Sequence, residues 1–148
     1  MADSNLLVIG IGNSLRSDDG VAAFIIGELQ KRSDVQADFC VYQQLTTDLI
    51  PIMLSHRYVL LIDAAVGINT VQWQVVQDDY TGSTPSSHHI DPGQLILLAS
   101  QLFHQKLSLT VCTLPVHDME IGDRLSDATI AFAQQAIKEI VYWIQSNS

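Results

Sequence analysis

The sequence predicts an α/β sandwich of about five strands, and three observations carry that expectation. Strand-like and helix-like apolar periods alternate along the chain. The first of them, Leu6 to Gly10, is continuously apolar, as in a strand covered on both faces. At 148 residues and 47% hydrophobic, the chain is long enough to bury one sizeable core without metal or disulfide staples, so residues 1–148 are expected to form a single domain.

The elements follow in order. Behind the first strand comes a glycine-containing loop, then Val21, Phe24, Ile25 and Leu29 at helical spacing, with Asp18 or Asp19 expected to cap the helix start. Asp38 to Gln43 predicts a second strand, and Thr47 a cap for a short helix containing Leu49, Ile50, Ile52, Met53 and Leu54. Tyr58 to Ile62 is a third strand running straight into Asp63. The alternation of Thr70 to Val76 predicts a half-exposed strand, which a short turn with Gly67 joins to the third. So short a link cannot hold a helical crossover, and this strand should run antiparallel to a neighbour or lie at an edge. Gln77 to Asp91 is a long polar loop, the kind of segment that carries function or moves. Pro92 suits the first position of a helix through Leu95, Leu98, Ala99 and Leu102. Leu107 to Leu114 is a fifth strand, and Ser126 caps a closing helix that reaches Ile144.

A formal net charge of −9 argues against nucleic acid or an anionic membrane as partner, because binding either polyanion needs a basic patch. The start MADSN lacks a signal-peptide n-region, and no run approaches membrane-spanning length. Cys40 and Cys112 both fall in apolar strand-like stretches and are expected as buried, reduced thiols. These features predict a cytoplasmic protein.

The stretch GIGNSLRSDDG, Gly10 to Gly20, ends in two adjacent carboxylates. A dinucleotide site does not fit it: Leu15 replaces the third glycine of G-x-G-x-x-G, and Asp18 and Asp19 sit where a pyrophosphate would approach. Carboxylates call for a cation. In open α/β sheets ligands bind beyond the carboxyl ends of the strands, where this reading puts Asp18/Asp19, Asp63 and, in the long loop, His88/His89. Carboxylates with an imidazole suit a borderline ion such as zinc or nickel. Each residue also has an ordinary role open to it: Asp19 as a helix cap, Asp63 as a turn cap, His88 and His89 as solvated loop residues. His56, His104 and His117 are less informative still.

GIGNSLRSDDGV closely resembles the N-terminal signature of the endopeptidases that mature [NiFe]-hydrogenases. The resemblance extends through LLIDAAVG and SSHHIDPGQLILLA, and weakly through PVHDMEIGDRLSDAT, in the expected order along nearly the whole chain. Ala22 stands where a glycine is more usual, a small-for-small change.

That resemblance implies a three-layer, phosphorylase/hydrolase-like sandwich with a twisted, mostly parallel five-stranded sheet. It also implies removal of a C-terminal extension from the hydrogenase large-subunit precursor once nickel is in place. By it, Asp19 and Asp63 fall on the metal-contacting acids and His88 on the histidine, with His89 as the alternative; Asp18 is a neighbour that orients the loop. The three residues would serve both as catalytic groups and as ligands, capturing nickel supplied by the substrate. The residues that the resemblance singles out are two acids and a histidine, with no serine or cysteine nucleophile among them, so activated water rather than an acyl-enzyme is expected to cut the bond, in an aspartyl-type reaction. The substrate would be met by a monomer. A non-catalytic nickel-binding maturation factor and a hydrolase of another substrate on a related α/β fold remain as other classes.

Overall fold

The computed structural model describes residues 4–77, 90–117 and 122–148. Strand β1 (Leu6–Ile11) is followed by a 3-10 turn at Ser17–Gly20 and helix α1 (Val21–Gln30). Strand β2 (Asp38–Tyr42), helix α2 (Ile50–Leu54) and strand β3 (Tyr58–Ala65) come next. Strand β4 (Gln72–Val76), helix α3 (Pro92–Phe103), strand β5 (Leu109–Pro115) and helix α4 (Asp127–Asn147) complete the order.

The strands form one sheet in the order β2-β1-β3-β5-β4. Strands β2, β1, β3 and β5 are parallel, and β4 runs antiparallel to β5 at the edge. The α/β fold, five-stranded and mostly parallel, is therefore as expected, and so is the edge position of β4.

Handedness explains the layers. The chain steps from β1 to β2 in one direction and from β2 back past β1 to β3 in the other, so right-handed crossovers put α1 and α2 on opposite faces. Leu6, Val8, Leu60 and Ile62 pack with Ile25 and Leu29 of α1 and Ala136 and Ile140 of α4. The alternate residues Leu7, Ile9, Val59 and Leu61 pack with Ile50 and Met53 of α2 and Leu95 and Ala99 of α3. Burying each such Leu or Ile contributes roughly 2 kcal/mol, which is why the central strands are apolar on both faces.

Several local expectations are corrected. Neither Asp18 nor Asp19 caps α1: its N-cap is Gly20, with no side-chain bond, because the 3-10 turn feeds directly into the helix. Thr47 does not cap α2; it opens a second 3-10 turn whose N-cap is Thr46. Strand β3 runs on through Ala65, since Ala64 and Ala65 pair with Leu114 and Pro115. Cys112 is buried but Cys40, on edge strand β2, is only half-buried, and both thiols are free. Pro92 opens α3 as expected, behind Asp91, which forms a reciprocal capping box with Gln94. Ser126 caps α4 through a bond from Thr129 N–H. The long polar loop lies outside the described residues from 78 to 89.

Candidate functional site

Loops leave β1 toward β2 on one side and β3 toward β5 on the other, so the gap between the carboxyl ends of β1 and β3 is the topological switch point of the sheet. Asp63 lies on β3 one step past Ile62, which is in register with Gly10, and opposite Thr113 of β5. By strand alternation from Val59 and Leu61, its side chain faces the α2/α3 layer. Helix α3 leads directly into β5, so its N-terminus lies at this same edge, and Ile90 just before it packs on that layer.

Asp19 reaches the switch point on the loop from β1. Its Oδ2 accepts the Asn13 N–H at 2.8 Å. Gly12 makes this close approach possible: a Cβ there would collide with the Asp19 carbonyl, and its φ is +151°. Ser17, at φ 49°, is held in the left-handed region, which costs about 1 kcal/mol or more for a non-glycine residue. Its N–H donates to the Gly122 carbonyl at 2.7 Å, and Gly122 N–H donates to the Leu15 carbonyl at 2.8 Å.

The Asp63 carboxyl is pushed up to about 6, first by burial and further by the Asp19 charge, against the opposing bond from Ala64 N–H. That bond is 2.8 Å long, to Oδ1. The two carboxylates are therefore close enough to sense each other across the switch point. Among the described residues no ion pair neutralises either of them, and no three His, Cys, Asp or Glu side chains group into a complete metal site.

Asp18 has a different part. It is fully buried, and its oxygens accept the His117 N–H at 3.1 Å, the Ser126 N–H at 2.7 Å and the Ser126 hydroxyl at 3.0 Å. One carboxylate thus ties the loop beside Asp19 to the N-terminus of α4, on both sides of residues 118–121. The sequence offered Asp18 as a helix cap, as one of an acidic pair and, by resemblance, as a neighbour that orients the loop; its partners at His117 and Ser126 emerge from the fold.

His88 and His89 lie outside the described residues. The other histidines are elsewhere or engaged through backbone. His56 sits beside Asp38 at the opposite edge, His104 ends α3 at φ 55°, and His117 offers its N–H to Asp18.

No protein-family model matches the chain, and no curated sequence does. Solved structures do. The hydrogenase maturating endopeptidase HybD from E. coli superposes with a TM-score of 0.70 at 18% identity, covering 97% of this chain and 93% of that one. A hydrogenase 2 maturation peptidase from a Thaumarchaeota archaeon gives 0.70 at 14% identity, covering 95% and 97%. The [NiFe] hydrogenase maturation protease HybD from Thermococcus kodakarensis gives 0.65 at 16%, covering 94% and 98%.

The chain has the fold of the hydrogenase maturation endopeptidases.

The likeness to that fold runs over nearly the whole chain.

Proposed function

We propose that this chain is an endopeptidase that removes the C-terminal extension of a [NiFe]-hydrogenase large-subunit precursor after nickel insertion, and that it recognises the inserted nickel. One observation carries the reading: two carboxylates, the charge of one raising the pKa of the other, lie without a counter-cation among the described residues at the switch point of a fold shared with proteins named as hydrogenase maturation endopeptidases.

In this reading Asp19, Asp63 and His88, or His89 in its place, engage nickel that the substrate brings. Packing of Ile90 on the layer faced by Asp63 supports the histidine, because it ties the following chain to that layer. Three ligands leave positions on the ion for groups of the precursor, and the site stays idle until loaded substrate arrives. Attack on the scissile carbonyl is by water. Without metal the Asp63 carboxyl is pushed up to about 6 by burial, in the range of a general base; either Asp63 takes the water's proton and nickel serves only as the mark that is recognised, or the nickel of the substrate would activate the water and polarise the carbonyl. The unpaired Cys40 and Cys112 suit a reducing compartment, and the reading takes the enzyme to act in the cytoplasm, as a monomer and a single domain. No helix among the described residues is long and apolar enough to cross a membrane.

The test is incubation with nickel-loaded and nickel-free large-subunit precursor, followed by intact mass. Loss of a C-terminal peptide from the loaded form alone is the expected result. Retention of nickel with neither form shortened would replace the protease by a carrier. His88→Ala and His89→Ala, run in parallel, identify the imidazole, since only one should abolish processing.

A further inference from the structure

Large apolar side chains stand exposed on three segments at the sheet edge that carries the acid pair. Leu15, 64% exposed, lies on the loop that carries Asp19. Val66, 64% exposed, directly follows β3, three residues beyond Asp63. Tyr42, 38% exposed, ends β2, and its carbonyl accepts the Gly12 N–H at 3.0 Å. Parallel register puts all three at the carboxyl edge of the sheet. The loop is not free to fold Leu15 inward: its N–H donates to Asn13 Oδ1 at 2.9 Å and its carbonyl takes the Gly122 N–H. Apolar surface held outward around a polar centre marks an interaction site.

We propose that Leu15, Tyr42 and Val66 form an apolar collar that docks the folded surface of the protein substrate around its metal ion, separately from the peptide that is cut. The inference rests on the protease reading above. Charge and shape identify the occupant. The centre of the collar holds two carboxylates that no chain cation neutralises among the described residues, so it complements a protein face that presents a cation within an apolar surround. Closing such a ring removes water from the centre and strengthens the attraction between the carboxylates and the ion. A free ion or an isolated peptide would leave the collar uncovered. Because the backbone already holds Leu15 in place, docking costs little ordering entropy.

The experiment is steady-state cleavage of nickel-loaded precursor by Leu15→Glu, Val66→Glu and the double variant, each checked by thermal melting. Leu102→Glu is the control, since Leu102 is 61% exposed on α3 near the amino edge. The double variant should raise KM at least tenfold and leave kcat within twofold, and the control should match the wild type. Leu15→Ser with Val66→Ser repeats the test without added charge, and replaces the Glu pair if that pair fails to fold. Wild-type KM in the folded double variant overturns the collar, as does a fall in kcat at constant KM. Failure of the wild type to shorten any precursor instead overturns the protease reading, and the collar with it.

Discussion

At the amino edge of the sheet, where β2 and β3 begin, Asp38 Oδ2 lies 2.7 Å from His56 Nε2, and His56 Nδ1 lies 2.8 Å from the Ile52 carbonyl. Both ring nitrogens are engaged, so His56 gives Asp38 a hydrogen-bonding partner from within the chain. At the carboxyl edge, Asp19 and Asp63 have no side-chain partner of that kind among the described residues. Where the chain supplies the partner, the carboxylate holds the fold together. Where it does not, the charge is left for something that arrives, and the molecule carries the strain of keeping it.

That contrast sets the order of expected effects. Asp63→Asn should lower cleavage of nickel-loaded precursor by a factor of about 10²–10⁴, as loss of a general base does, while melting no lower than the wild type. Equal cleavage by the variant would remove Asp63 from the chemistry. Asp18→Ala, next to the site but bonded like a structural acid, should cost about 2–4 kcal/mol in urea unfolding, because three donors lose a buried carboxylate. At the far edge His56→Leu should cost about 1–2 kcal/mol and leave cleavage unchanged, which precursor assays and urea melts on one preparation would check.

A separate effect is in pH. With a folded value of about 6 against an ordinary 3.8, Asp63 keeps its proton in the native state over a range where the unfolded chain has lost it. Native protein binds more protons there, so the Asp63 contribution to stability falls as pH rises from about 4 to about 6 and is level above that window. A pKa unit is about 1.4 kcal/mol, so the rise from 3.8 to about 6 bounds the effect at about 3 kcal/mol. Asp63→Asn should therefore gain in melting temperature relative to wild type between pH 4.5 and 7; a constant difference would contradict the elevated value.

Asp63 was legible because an acid directly after a continuous apolar strand stands out, and Asp19 because glycines frame its loop. The division of labour between Asp18 and Asp19 was not: both looked like helix caps, and the partners that decide the matter are 99 and 108 residues from Asp18. Nor could a local pattern reveal that β5 inserts between β3 and β4, since the Gly67 turn constrains only the direction of β4, not its neighbour. Thr46 and Thr47 differ by one position, and a 3-10 entry without a side-chain bond leaves nothing in the sequence to choose between them.

The bonds from Asp18 to His117 and Ser126 also bear on how the molecule is made. Contacts so distant along the chain close after local ones, because the loop-closure entropy must be met first. During synthesis, β1 and its loop emerge long before the helix that pins them, at a pace of roughly 5–20 residues each second. The loop that carries Asp18 and Asp19 thus takes its final shape only when α4 docks.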